Sequence, residues 1–237
     1  MLEILYQDQD CVAINKPAGM LVHRSWLDSN ETEFVMQTLR DQLGRYVYPV
    51  HRLDRPTSGV LLFALASDSA RQLSQQFTAQ TIHKTYWAVV RGHLHGSGRI
   101  DYALKEELDK IADKFTNPDK PAQEAITDWR CLAQTEQAFA ASTRYPSSRY
   151  SWLELTPHTG RKHQLRRHMK HIFHPIVGDT THGDSAQNRA VATHTGSSRL
   201  LLHSRSLTFQ CLENGKSITA IAPIDDAWQH VIDGFEW

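Results

Sequence analysis

The densest group of reactive side chains is one nine-residue stretch, His51-Arg52-Leu53-Asp54-Arg55-Pro56-Thr57-Ser58-Gly59, directly before the apolar run Val60 to Leu65. Pro56 pushes Arg55 out of the helical region, and Gly59 permits a sharp turn. The stretch therefore reads as a loop at a sheet edge that projects its side chains. A carboxylate flanked by two arginines stays ionised, because opposite charge offsets the cost of desolvation. Held in a cleft of low dielectric, such a group serves as nucleophile or base. The competing reading is an Asx-turn aspartate whose arginines are surface partners. Asp54 is the first candidate.

The second cluster is Thr159-Gly160-Arg161-Lys162-His163-Gln164-Leu165-Arg166-Arg167-His168. Drawn as a helix over His163 to Phe173, it aligns Leu165, Met169, Ile172 and Phe173 on one stripe. Arg166 borders that stripe, where it can reach a half-buried carboxylate. Lys170, His163 and Arg167 continue outward, towards phosphates or plain solvent. Lys plus Arg and Asp plus Glu both total 26, so net charge offers no argument for a polyanionic partner. The distribution does, because no carboxylate lies between Leu155 and Gly178 while Arg161, Lys162, Arg166, Arg167 and Lys170 crowd together there. Tyr86 opens a strand, as a core residue or as a surface on which a base stacks. Eight of the 14 histidines fall between His158 and His203. His168, His171 and His174, with His163 five residues before His168, have no carboxylate or Cys pair among them and no His-Glu-x-x-His, and their basic neighbours would repel a cation. No metal site is expected.

These residues need elements to hold them. Leu2 to Tyr6 and Cys11 to Ile14 read as a hairpin, and Asn15-Lys16-Pro17-Ala18-Gly19 ends it. Glu33 to Leu43 has helical periodicity stopped by Gly44. A helix capped by Ser67 or Asp68 follows the Val60 strand. Thr85 to Arg91, Ala125 to Cys131, Tyr150 to Leu155, Leu200 to Cys211 and Ser217 to Ile221 read as strands, with a short helix from Ile224. Glu106 to Gln123, polar and bearing Pro118 and Pro121, reads as a loop or insertion. Strands outnumber helices and neighbours look hairpin-connected. The expectation is an α+β fold with a mixed, mainly antiparallel central sheet, flanking helices and a cleft.

Composition narrows the class. Hydrophobic residues are 40% and charged residues 22% of the 237, an ordinary globular mixture. The longest apolar run, Val60 to Ala66, is far below the ~20 residues of a membrane span. The N-terminus lacks a secretory pattern. Cys11, Cys131 and Cys211 are widely spaced and odd in number, which suits free thiols in a reducing compartment. A cytoplasmic protein with no membrane contact is expected.

Taken together, the clusters resemble the RluA-type pseudouridine synthases. His51 to Leu62 matches that family's signature. Asn15 to Gly19, Lys84 to Tyr86, Thr159 to Arg166 with His174 to Asp179, and Arg199 to His203 match further motifs in order. The resemblance covers about residues 1–223. It implies an RNA uridine isomerase that needs no cofactor. By that likeness Asp54 is the catalytic aspartate, Tyr86 packs on the target uracil, Arg166 pairs with Asp54, Arg52 fills the gap left by the flipped nucleotide, and Leu202 lines the pocket. Arg161, Lys162, Arg167 and Lys170 would bind RNA phosphates. Asp54 would attack C1′ or C6, or take the proton at C1′. Many relatives carry a basic RNA-binding domain in front of the catalytic region, whereas here the first motif begins at Asn15. That implies a single catalytic domain over 1–237. A monomer is the working expectation. Ser204 stands where relatives often have alanine. Val22 to Asp28, Glu106 to Phe115 and Gln187 to Arg189 resemble members that modify position 65 of tRNA. The implied substrate is tRNA, with ribosomal RNA as the alternative. Two other classes compete: a non-catalytic RNA-binding protein and a metal-dependent phosphoesterase.

Overall fold

Aliphatic residues run without polar interruption through Cys11 to Ile14 and Val60 to Ala64, the pattern of strands covered on both faces. The computed structural model describes residues 1–23, 33–107 and 120–237, and in it both runs are central strands. β1 (Glu3–Gln7) and β2 (Cys11–Lys16) form the expected hairpin, and β2 pairs antiparallel with β4 (Ser58–Ala64). Val12, Ile14, Leu61 and Phe63 pack on Val35 and Leu39 of α1 (Val35–Leu43). Cys11, Ala13, Val60 and Leu62 face the other way, onto Leu73 of α2 (Ser67–Thr78). Gly44 ends α1 in the left-handed conformation, as expected. The N-cap of α2 is Ala66 rather than Ser67 or Asp68, with no side-chain cap bond.

The second half of the sheet is built from β5 (His83–Arg91), β6 (Ser97–Asp101), β7 (Ile126–Gln137), β8 (Ser148–Pro157) and β9 (Leu202–Gln210). The strand order is β1-β2-β4-β9-β5-β8-β7-β6, with β3 (Tyr48–Pro49) on β4 and β10 (Ser217–Ile221) on β9. Ala88, Leu153, Leu155 and Leu202 share one face, packed against Leu165 and Met169 of α3 (Gln164–His171). Val89, Tyr150 and Leu201 share the other, under Val191 of α4 (Ser185–Thr195) and Trp228 and Val231 of α5 (Asp226–Gly234). Among the described strands only the β4–β9 pair is parallel, so the sheet is mixed and mainly antiparallel as expected.

That parallel pair is the seam between the halves. It is short, joining Ser58 to His203 and Gly59 to Ser204. Gly59 has φ +108°, and a Cβ there would lie 2.2 Å from the Ser204 carbonyl oxygen. Only glycine lets the strands meet, and the loop bearing Asp54 enters the sheet at this point.

Three elements have no counterpart in the sequence expectation: β3, β6 and α4. Among the described strands β6 pairs only with β7, and Ile100 is its single buried residue, so no apolar alternation marks it. α4 buries just Val191 and Thr195, leaving no apolar stripe to read; it is fixed instead by Asp184 at its N-cap and Gly196 at its C-cap. β7 extends well past the expected Cys131, and α3 stops two residues short of Phe173. Most of the Glu106–Gln123 segment, 108–119, lies outside the described residues; Leu104 and Gln123 bridge its two ends.

Candidate active site

The loop from His51 to Thr57 is held from several sides. The Thr57 N–H donates to the Asp54 carbonyl at 3.0 Å, closing a turn over Arg55 and Pro56. Beneath it lies Lys16, fully buried, whose Nζ donates to the carbonyls of Pro17, Arg55 and Thr57 at 2.9–3.0 Å. Burial pushes the Lys16 pKa down to about 7, against the pull of Asp54. Three carbonyls are matched by three N–H groups only while the amine is an ammonium. Gly19 and Arg55 add two bonds, Gly19 N–H to the Arg55 carbonyl and Arg55 Nε to the Gly19 carbonyl, both 2.9 Å. His51 points inward: its Nε2 accepts from the Leu62 N–H at 3.0 Å, and its ring stacks on Phe77. Burial pushes His51 down to about 3, so it stays neutral.

The Asp54 side chain, 28% exposed, accepts a bond from Arg166 Nη1 at 3.1 Å. Arg166 is 95% covered, and its other two nitrogens grip Asp179 as a fork, Nε to Oδ2 at 2.7 Å and Nη2 to Oδ1 at 2.8 Å. Asp179 is fully buried and also accepts the N–H groups of Thr181 and His182 at 2.9 Å. Burial opposes its charge, yet Arg166 and the His182 N–H outweigh burial and hold the carboxyl below the usual carboxylate range. The arginine is thus anchored from behind and presents one N–H to Asp54. Planar, bidentate pairing of this kind fixes direction as well as distance.

Tyr86 packs against both core clusters, the one that holds Leu53 and the one that holds Leu155, Leu165 and Leu202. It bridges the two halves where β5 meets Ser204 of β9, next to a bulge at Thr85. Burial, and to a lesser degree the Asp54 charge, pushes its phenol up to about 12. A half-buried aromatic beside a carboxylate, floored by leucines, can hold a flat, polar ring and bring a reactive atom to the carboxylate.

The model of the RNA pseudouridylate synthase family matches residues 10–171, a span that includes Asp54, Tyr86 and Arg166. The chain belongs to that family. The synthase is 60% identical to tRNA pseudouridine synthase C of Pasteurella multocida over 236 residues, covering 100% of this chain and 97% of that one. It is also 60% identical to tRNA pseudouridine synthase C of Haemophilus influenzae, covering 100% and 99%. Among solved structures, human RNA pseudouridylate synthase domain containing 4 superposes with a TM-score of 0.69 at 26% identity, over 98% of this chain and 92% of that one. Human RNA pseudouridylate synthase domain containing 1 shares the fold, with a TM-score of 0.72 at 24% identity over 96% and 88%.

In this synthase the fold gathers Asp54, Tyr86, Arg166 and Leu202 at the seam and leaves Arg52 exposed on the loop. The basic residues of 161–170 are less free than their sequence suggests. Arg161 Nε donates to the Glu124 carbonyl at 2.9 Å, and Lys162 Nζ to the Glu107 carbonyl at 3.0 Å. Arg167 pairs with Glu107 at 3.4 Å. Lys170 is exposed. Sequence reasoning missed the carboxylates that tertiary structure brings to this helix, Asp179 and Glu107, and the burial of Lys16. The motif His174 to Asp179 marked Asp179 as notable, but no spacing links it to Arg166. Of the four histidines weighed as ligands three are dispersed: His168 lies on Thr127 and the Tyr102 carbonyl, His171 on the Tyr102 ring, and His174 on the Arg91 carbonyl, whereas His163 meets Glu107 and His182.

Proposed function

We propose that this synthase isomerises a specific uridine of tRNA to pseudouridine, at position 65, as a cytoplasmic monomer built on one catalytic domain. The observation that carries the proposal is the directed pair at the seam, Asp54 on an arginine clamped from behind by a buried carboxylate. The substrate follows from the two 60%-identical relatives, each named for tRNA.

Uridine and pseudouridine are isomers, so no co-reactant enters the balance. The C1′–N1 bond breaks, the uracil turns, and C1′ joins C5; the proton at C5 is lost to solvent and N1 ends protonated. The target must leave its stack, at a cost of a few kcal/mol. Arg52, exposed at the loop tip, fits the gap so opened. Tyr86 and Leu202 hold the detached uracil while it rotates. Asp54 supplies the carboxylate, as nucleophile or as base, and Arg166 fixes the direction from which it approaches. Arg161, Lys162 and Lys170 border the site on one side and meet phosphates, with salt-sensitive affinity, while Arg167 is turned to Glu107.

The test is tritium release from unmodified tRNA labelled at C5 of uridine, run in EDTA. Release by the wild type and none by Asp54→Asn is the expected result. Release by the Asp54→Asn variant overturns the catalytic assignment. Release from ribosomal RNA but not tRNA overturns the substrate, and mapping the product settles position 65.

A further inference from the structure

Three ligand-type side chains from separate segments converge beside the active site: Glu107, His163 and His182. Glu107 follows the β6 strand, His163 is the N-cap of α3, and His182 sits in the turn after Asp179. His163 Nδ1 lies 3.1 Å from Glu107 Oε2 and 3.1 Å from His182 Nε2. His182 Nε2 lies 3.5 Å from the same Oε2. The three atoms form a nearly equilateral triangle.

Hydrogen bonding does not account for all three edges. If both imidazoles donate to Oε2, the two N–H groups face each other across 3.1 Å. If His182 donates to His163 Nδ1 instead, the bare Nδ1 lone pair faces a carboxylate oxygen across 3.1 Å. If the His163 Nδ1–H is shared between Oε2 and His182 Nε2, both 3.1 Å edges are hydrogen bonds and the two acceptors are left facing each other across 3.5 Å. A cation at the centre removes the unfavourable contact of each arrangement, because each atom then offers a lone pair to it. Ligands about 2.0–2.1 Å from a tetrahedral Zn²⁺ stand about 3.3 Å apart, and the observed edges are 3.1, 3.1 and 3.5 Å. Two histidines and one carboxylate with the fourth position left to water is a known Zn²⁺ ligand set.

The surroundings fit as well. The second oxygen of Glu107, Oε1, is taken by Arg167 at 3.4 Å, which leaves Oε2 as a monodentate ligand. His163 holds a left-handed backbone, φ +54°, that turns its ring out of the helix and towards Glu107 and His182. The side chains of His182 and His163 are 8% and 21% exposed, so the ligands are partly desolvated and pre-positioned. Arg167 and Lys162 lie close by, but both direct their charge to other oxygens of Glu107.

We infer that Glu107, His163 and His182 form a site for one Zn²⁺-class divalent cation at the edge of the catalytic cleft. The expectation of no metal rested on the absence of carboxylates from the histidine-rich segment; the fold supplies one from residue 107. A cation on His163 Nδ1 leaves the imidazole's one N–H on Nε2, the nitrogen 3.9 Å from Asp54 Oδ2. Occupancy therefore aims a fixed donor at the catalytic carboxylate and ties the segment at 107 to α3. The inference stands on this geometry and does not depend on the RNA reaction.

The test uses the full chain freed of metal by a chelator and titrated with ZnCl₂ alone by calorimetry, and with CoCl₂ alone by visible absorption. The wild type is expected to bind one equivalent of Zn²⁺ and to give the intense visible band of four-coordinate Co²⁺. His182→Ala and Glu107→Gln are each expected to weaken Zn²⁺ binding by more than the roughly 10–100-fold that loss of an outer-shell partner costs, and to lose the band. His171→Ala, which removes an exposed histidine stacked on Tyr102, retains both. Glu107→Gln covers the case in which His182→Ala fails to fold. No stoichiometric binding by the wild type, or equal binding by wild type and Glu107→Gln, overturns the site.

Discussion

Asp179→Asn tests whether the catalytic geometry is anchored from behind. Asp179 takes two bonds from Arg166 and two from backbone N–H groups. An asparagine can keep its oxygen on the side that faces Thr181 and His182. Its NH₂ then meets the Nε–H of Arg166, donor against donor, and the buried guanidinium loses its main counter-charge. Breaking a buried pair from one side costs about 3–5 kcal/mol. For a chain of this size each kcal/mol shifts the melting temperature by about 2–4 °C, so the variant should melt about 6–20 °C lower. Asp54→Asn is the internal control. Asp54 takes one bond, at 3.1 Å, with its side chain 28% exposed. Arg166 keeps its fork on Asp179, so the cost should stay under about 1 kcal/mol, within about 4 °C, while tritium release disappears.

The pH dependence carries a matching signature. Asp179 is held below the unfolded carboxylate value of about 3.9. Its contribution to stability is therefore full above that pH and is lost as pH falls through the lower, folded value. Asp179→Asn should lose less stability on strong acidification than the wild type does. The assay is thermal unfolding followed by circular dichroism at pH 7 and at successively lower pH. An Asp179→Asn protein that melts within about 4 °C of wild type at pH 7, or an Asp54→Asn protein that falls equally far, refutes the anchor.

Three other perturbations follow from the seam and the loop. Gly59→Ala forces a Cβ to within 2.2 Å of the Ser204 carbonyl at φ +108°, so β4 and β9 must part; a fall in melting temperature larger than the same change at exposed Gly215 is expected. Lys16→Met removes the Nζ donors of three carbonyls, of which that of Arg55 keeps another, from Gly19. Urea titration should show a loss of about 1–3 kcal/mol for each orphaned carbonyl. His203, buried between Ser58 and the Ala222 carbonyl, is pushed down to about 4 by burial. The unfolded chain takes up that proton near pH 6.5 and the folded one does not, so stability falls as pH drops from about 6.5 towards 4. At pH 5 the effect is about 2 kcal/mol; His203→Gln should flatten the difference between urea midpoints at pH 7 and pH 5.

What the sequence shows and hides follows from the range of the interactions. The hairpin of β1 and β2, the β4 strand and α1 are written in short apolar runs or in 3.6-residue periodicity, and each lies where that pattern puts it. α4 and β6 have no such pattern, because one is held by its caps and the other by a single neighbour. The reactive loop was legible for the same local reason: His51 to Gly59 concentrates its turn formers and charges in nine residues. The partners that give those charges their meaning are not local. Asp54 meets Arg166 from 112 positions away, and Glu107 meets His163 from 56.

The same distinction changes how the basic segment acts. Read along the chain, residues 161–170 present five cations and no carboxylate. In the fold, Arg166 is shared between Asp54 and Asp179, and Arg167 is answered by Glu107. Two of the five charges thus serve the site's own geometry. Arg161 and Lys162 donate to carbonyl oxygens, which orients them without cancelling their charge, and Lys170 is exposed. An RNA strand approaching this face meets three uncancelled cations, joined by Arg52 at the loop tip. Binding that releases counterions from so few phosphates depends on salt only moderately. Under the proposed function, selection of the target rests on the shape of the cleft around Tyr86 and Leu202 more than on a broad electrostatic surface.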